Sequence, residues 1–306
     1  LILYVNKKLI YQRKERERID LYIKDCFKLS RESVKQLLKD GSILVKDKRV
    51  EPSYLLKAGD DILIKESSFY KSAENKIYPE NFQLDIIYSD SDIIVINKTA
   101  GILTHPTEKI RSGTVVNFLL KNYSLYNENK SLRPGVVHRL DKETSGVMVF
   151  TRTESAWNDL FVQFKNRIVK KEYLAIVKGR FVPLKKRMEF TVSPDKSNYT
   201  KMKVHYLKGK KTITIIEVVK YMEDLTLVKV KPITGRTHQI RLALSHSGYP
   251  IIGDTKYGVA SDLISRVALH SYRISLYHPT KKERCEFKAP VPDDFLKITG
   301  EIDNSI

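Results

Sequence analysis

Two cysteines in 306 residues, Cys26 and Cys285, are too few and too far apart for a disulfide framework or a cysteine-rich metal cluster. Such usage suits a reducing cytosol. No apolar run approaches the roughly 20 residues needed to cross a bilayer, and the N-terminus lacks the apolar stretch of a signal peptide. The chain begins at Leu1 rather than Met, as expected of a sequence short of a few leading residues. Acids are scarce beside bases, 36 against 55, which leaves a formal charge of +19. A field of that sign concentrates polyanions, although lysine also serves simply to keep a protein dissolved. There is no internal repeat and no low-complexity tract. Neither a GxxxxGK phosphate loop nor a GxSxG elbow occurs, which argues against P-loop and α/β-hydrolase chemistry. The histidines lack the paired or cysteine-associated spacing of zinc sites, so no metal is expected.

The patterns that are present divide the chain in three. Residues 15–66 read as a small α+β domain. "RIDLYIKDCF" sets Ile19, Tyr22, Ile23 and Phe27 at helical spacing. "LSRESVKQLLKDG" has Ser30 as N-cap, Glu32 in the first turn, Val34, Leu37 and Leu38 on one face, and Gly41 as a stop. "SILVKDKRV" is a strand turning at Lys46–Lys48 into the start of another, and "LLKAGDDILI" ends in a further strand. Arg31, Lys35 and Lys39 recur every four residues as a basic stripe, beside Arg16, Arg18 and Lys28. A stripe of this kind is either a solvated face or an RNA contact.

Residues 67–81 are polar and aperiodic and read as a linker. Residues 82–306 are strand-rich. "LDIIYSD" and "DIIVINK" form a hairpin, "GTVVNFLLKNY" a helix, and "GVMVF" a buried strand. "SAWNDLFVQFKN" is a helix expected to bury Trp157, Leu160, Phe161 and Phe164. The strands "KEYLAIVKG", "KTITIIEVVKYM" and "DLTLVKVKPIT" follow. The predicted class is α+β, with a mixed, largely antiparallel sheet. Up to Glu74 there are 17 basic and 12 acidic residues, against 38 and 24 in the remainder, so the larger domain holds most of the excess charge.

Candidate chemistry gathers in a few segments. In "PGVVHRLDKETSGVMVF" one aspartate, Asp141, follows His138 and Arg139 on a turn between apolar strands. Such an aspartate is commonly a turn cap; a functional one needs a cation to hold it ionised. "PITGRTHQIRLAL" offers Arg236, His238 and Arg241 within six residues. Tyr173 lies near the start of a strand, where it either packs in the core with a wet hydroxyl or presents its ring to a base. "KSNYTKMKVHYLKGKK" carries six lysines, no acid, and Tyr199 and Tyr206 between them, the composition of a loop facing nucleic acid.

Together these segments resemble the RluA family of RNA pseudouridine synthases. "HRLDKETSGV" is similar to its catalytic signature, and "KEYLAIVKG", "GRTHQIR", "IIGDTKYG" and "LHSYRISLYHP" resemble its later blocks in the same order. Residues 15–66 resemble the S-four RNA-binding domain that precedes many members. Two positions depart from the family pattern: Thr99 stands where proline is usual and Ile216 where an aromatic is common. The resemblance implies a pseudouridine synthase fold, with RNA as partner, large-subunit ribosomal RNA the favoured class and transfer RNA the alternative. It implies no cofactor, a cytoplasmic monomer and no membrane. Asp141 becomes the essential carboxylate, as nucleophile or as base; Tyr173 stacks on the target uracil and helps remove the proton from carbon 5. An arginine of "GRTHQIR", Arg236 slightly ahead of Arg241, keeps Asp141 ionised. Arg139 fills the gap left by the flipped nucleotide or holds its phosphate, and His138 shapes the loop. A non-catalytic RNA-binding factor on the same fold is the competing expectation.

Overall fold

In a computed structural model of the chain, residues 7–27, 29, 31–65, 77–127, 131–195, 197–198, 200–205 and 209–302 are described. They divide into two compact units, Leu1–Lys76 with Asn129–Ser131, and Ile77–Glu128 with Leu132–Ile306.

The first unit contains β1 (Lys7–Ile10), β2 (Glu17–Arg18), α1 (Ile19–Phe27), α2 (Arg31–Lys39), β3 (Ile43–Val45), β4 (Leu55–Leu56) and β5 (Asp61–Ile64). β5 is the middle strand of a sheet ordered β1-β5-β3, antiparallel throughout, and β2 pairs β4. The apolar positions predicted for the two helices, Ile19, Ile23, Val34, Leu37 and Leu38, meet Ile43, Val45, Ile62 and Ile64 in one core. Tyr11 is fully buried in that core and β1 pairs along the whole of β5, so the unit reaches further towards the N-terminus than residue 15. Val45 and Lys48 form only a single bridge across the turn at Lys46–Asp47, where both residues have positive φ; no strand starts there. Ser30, Lys28 and the side chain of Glu32 lie outside the described residues.

The second unit is built on a ten-stranded sheet. Its strands are β6 (Asp85–Ser89), β7 (Ile93–Lys98), β8 (Ser145–Thr151), β9 (Lys170–Lys178), β10 (Lys185–Pro194), β11 (Met202–His205), β12 (Lys210–Tyr221), β13 (Leu225–Pro232), β14 (Leu269–Tyr277) and β15 (Arg284–Lys288). The order is β11-β10-β12-β13-β9-β14-β8-β7-β6, with β15 also paired to β14. Only the short β8–β14 pairing is parallel among the named strand pairs, so the sheet is mixed and largely antiparallel, as predicted. Helices α3 (Val115–Asn122), α4 (Glu154–Lys165), α5 (Gln239–His246) and α6 (Asp293–Thr299) complete the unit.

Strand alternation explains why β7 and β8 are nearly all buried. Ile94, Ile96, Met148 and Phe150 join one apolar cluster with Val115 and Leu119 of α3, while Ile93, Val95, Val147 and Val149 join another with Ala156 and Leu160 of α4. A strand covered on both faces reads as a continuous apolar run, which "GVMVF" does. Thr114 caps α3 in a reciprocal box with Asn117.

Three expectations change here. α4 buries Ala156, Leu160 and Gln163, but Phe161 is 47% exposed and Trp157 packs on it rather than in the core. Within the lysine-rich stretch, Met202–His205 is strand β11, hydrogen-bonded to β10, not loop; Lys196, Tyr199, Tyr206 and Lys208 lie outside the described residues. Of the linker, residues 67–76 lie outside the described residues. Residues 77–81 belong to the second unit, where the Glu80 carboxylate accepts from Gly113 N at 3.0 Å and Tyr78 O accepts from Asn117 at 2.9 Å. No helix among the described residues is long and apolar enough to cross a membrane.

Candidate active site

Asp141 sits on the turn that enters β8, and backbone carbonyls on either side of it are pinned. Leu140 O accepts from the Thr104 hydroxyl at 3.1 Å, Asp141 O from Thr144 N at 3.1 Å, and Lys142 O from Gly101 N at 2.9 Å and Lys98 Nζ at 3.0 Å. Lys98 is fully buried behind the turn, and burial lowers its ammonium to about 7. Gly146, just inside β8, explains the glycine of "ETSG". Its φ is +111°, and a Cβ there would lie 2.2 Å from Ser271 O of the parallel strand β14. Only glycine lets the two backbones approach so closely.

β14 joins the two halves of the site. Ser271 pairs with Gly146 on one side and with Tyr173 of β9 on the other. The Tyr173 phenol is hydrogen-bonded to Ser271, but burial pushes its pKa up to about 12, with the charge of Asp141 acting in the same direction. It is therefore protonated at neutral pH, and offers a ring face and a hydroxyl rather than a ready phenolate. Lys171, two residues earlier on the same strand face, also borders the cleft, and burial lowers its ammonium below the usual range.

The third segment follows β13, the other neighbour of β9. The turn 233–238 is held by Gln239, whose amide oxygen accepts from Thr234 and Arg236 N and whose nitrogen donates to Ile213 O and Thr214. That inward-facing glutamine places Arg241 in the first turn of α5, pointing to Asp141. Arg241 Nη1 lies 3.4 Å from Asp141 Oδ2, while Nε and Nη2 clasp Asp254 at 2.7 and 2.6 Å. Asp254 is fully buried, and its carboxyl is depressed: desolvation opposes, but the Arg241 guanidinium and the amides of Tyr257 and Lys256 outweigh it. The pairing expected of Arg236 thus falls to Arg241. Arg236 instead lies at the cleft wall with its Nε directed to Lys211 O at 3.4 Å.

His238, in left-handed conformation at the α5 N-cap, comes within 3.9 Å of Asp141. Desolvation lowers its pKa, with the charge of Asp141 acting in the opposite direction. The Tyr257 hydroxyl accepts from Met202 N at 2.6 Å and is 2.8 Å from His238 Nδ1. His138 is tied into the fold: its Nε2 accepts from Val149 N at 2.9 Å and its ring stacks on Phe164, with burial lowering its pKa to about 3.

These groups border a cleft of about 510 Å³. Arg139, Lys165, Arg167, Lys171, Arg236 and Arg241 contribute positive charge, and Asp141 is the one acid among the lining residues. The site combines a single oriented carboxylate, a flat buried phenol and a ring of cations sized for a nucleotide. Its donor set does not suit a metal: beside one carboxylate there are two histidines, His238 with Nδ1 taken up by Tyr257 and His138 with Nε2 accepting from Val149 N. Asp90, Asp92 and His278 do have ligand-like spacing, but none lines the cleft. Their atoms already bind Tyr88, Thr153, Thr280 and one another.

A model of the family described as RNA pseudouridylate synthase matches residues 92–246, which contain Asp141, Tyr173 and Arg241. The chain belongs to that family. It is 35% identical to "Ribosomal large subunit pseudouridine synthase D" of Neisseria meningitidis over 90% of this chain and 78% of that one. A protein of the same name from Borreliella burgdorferi is 36% identical, over 85% and 82% respectively. The solved structure of "Human RNA Pseudouridylate Synthase Domain Containing 1" superposes with a TM-score of 0.56 at 25% identity, covering 71% of this chain and 87% of that one. The protein is thus a pseudouridine synthase, an isomerase that acts on RNA. Sequence reasoning passed over Asp254, Tyr257, Lys98 and Thr104. The first two lie in the quoted block "IIGDTKYG", yet nothing in their spacing shows that they turn back onto Arg241.

Proposed function

We propose that the protein converts uridine to pseudouridine in large-subunit ribosomal RNA, with the target nucleotide flipped into the cleft and Asp141 as the essential carboxylate. One observation carries the assignment: the lone acid of a basic cleft stands against Arg241 and near Tyr173 and His238. The names of the relatives support the class of RNA. Extrusion of a base costs a few kcal/mol, which the phosphate contacts of Arg139, Arg236 and their neighbours offset.

Asp141 acts on the extruded nucleotide to release uracil from the ribose, Tyr173 holds the detached ring by stacking, and the ring turns until carbon 5 faces the sugar. When the new bond forms there, carbon 5 loses its hydrogen to solvent as a proton and ring nitrogen 1, freed from the sugar, takes a proton up, so the product is an isomer of the substrate. Substrate and product have the same atoms and oxidation level, so the reaction calls for no redox cofactor. Arg241, aimed by Asp254, keeps Asp141 ionised and in place. The first unit acts as an S-four domain that docks RNA through the α2 stripe. Lys39 carries more of that contact than Arg31, which is 2.8 Å from the buried Asp20. The enzyme is proposed to act as a monomer in the cytoplasm.

The test uses a large-subunit ribosomal RNA transcript carrying tritium at uridine carbon 5, with chelator present. Release of tritium by the protein, lost in Asp141→Asn with RNA affinity retained, is the expected result. Binding without release in the wild type, on this RNA and on transfer RNA, would make the protein an RNA-binding factor instead.

A further inference from the structure

Helix α4 turns an aromatic row outward. Four-residue spacing aligns Trp157, Phe161 and Lys165 on one stripe. The Trp157 and Phe161 rings lie 5.0 Å apart and 12° from parallel, and the Tyr126 ring lies 6.0 Å from Trp157. Phe161 is nevertheless 47% exposed and Val162 49%. A contiguous exposed apolar patch on so highly charged a chain marks a contact surface.

The position of the row identifies what it contacts. Lys165 ends the stripe and lines the Asp141 cleft, as does Arg167. The row therefore leads from the outer surface to the cleft over about 12 Å, at 1.5 Å per residue. Arg167 occupies the left-handed position after the Asn166 cap, with φ +61°, where helices usually place glycine. An arginine kept there against its backbone preference has its use in the side chain. Neither Lys165 nor Arg167 forms an ion pair with a described residue, so both charges face the cleft uncompensated. Aromatic faces interleaved with cations along a path into a site for a flipped base are the composition of a single-strand track.

We propose that this row carries the RNA strand next to the target nucleotide. A neighbouring base lies on the open face of Phe161, Trp157 extends the platform, and Lys165 and Arg167 hold the phosphates at the cleft mouth. The proposal rests on the RNA-binding reading of the cleft given above.

Trp157 is the only tryptophan of the chain, so its emission reports on the row. The protein is titrated with a uridine oligoribonucleotide and with the ribosomal RNA transcript. Saturable quenching is expected in the wild type, and Phe161→Ala should weaken binding about tenfold. Arg167→Gly should weaken binding and reduce its salt dependence, while melting no lower than the wild type, since glycine fits the left-handed position. A wild type that binds and converts RNA with unchanged Trp157 emission, and is matched by both variants, would overturn the track and leave the cleft reading intact. The patch would then belong to a protein partner. A wild type that binds neither RNA would overturn the cleft reading and the track together.

Discussion

Replacing Asp254 by asparagine tests how the site holds the Asp141 carboxylate. Asp254 is fully buried, accepts two hydrogen bonds from Arg241 at 2.7 and 2.6 Å, and accepts two more from Lys256 N and Tyr257 N at 2.9 and 3.0 Å. Asparagine keeps an oxygen for the two amides but sets an N–H group against the guanidinium. Arg241, itself only 8% exposed, is left with Asp141 at 3.4 Å as its remaining carboxylate. Removing one partner of a buried pair costs about 3–5 kcal/mol, and the swing of Arg241 towards Asp141 recovers part, so a loss near 3 kcal/mol is expected. Tritium release should fall on the order of a hundredfold, because the guanidinium no longer fixes the orientation of Asp141. RNA affinity should hardly change, since Asp254 does not line the cleft. Urea unfolding gives the first quantity, single-turnover tritium release the second, and filter binding the third. An Asp254→Asn enzyme that unfolds and reacts like the wild type would refute the argument that Asp254 positions Arg241.

Other perturbations separate parts of the same picture. Arg241→Ala should abolish tritium release and destabilise the fold by leaving Asp254 unpaired, whereas Arg236→Ala should mainly weaken RNA binding and lower the salt slope by about one. The reverse pattern would restore Arg236 as the partner of Asp141. Gly146→Ala should cost about 3 kcal/mol or more, or prevent folding, because its Cβ meets Ser271 O at 2.2 Å; expression and urea midpoints check this. Burial opposes ionisation of Asp90, but hydrogen bonds from Ile93 N, Tyr88, Asp92 N and His278 hold its pKa down at about 2. A depressed carboxylate stabilises the fold above its unfolded pKa near 4 and loses that contribution as pH falls towards 2, about 2 kcal/mol in all and half of it by pH 3. Asp90→Asn should therefore flatten the decline of urea stability between pH 5 and pH 3 by about 1 kcal/mol.

Local patterns were sufficient to determine much of this protein. Periodicity places α1, α2 and α3, because each buries a stripe that its own residues define, and continuous apolar runs place β7 and β8, which are covered on both faces. The segments that line the cleft were likewise readable as single blocks around Asp141, Tyr173 and the 236–241 turn. Tertiary structure decided which of two nearby arginines meets the carboxylate. Arg236 and Arg241 are equivalent in sequence, but Gln239 turns inward to satisfy four polar groups, and Asp254 receives Arg241 from 13 residues away. The row on α4 was hidden for the same reason. Trp157 and Phe161 have the spacing of a core face, and only the packing of Ala156 and Leu160 shows that the core lies on the other side. Spacing along a chain fixes which residues share a face. Which face is covered, and by what charge, depends on strands and turns remote in sequence, as Ser271 shows by standing between Gly146 and Tyr173.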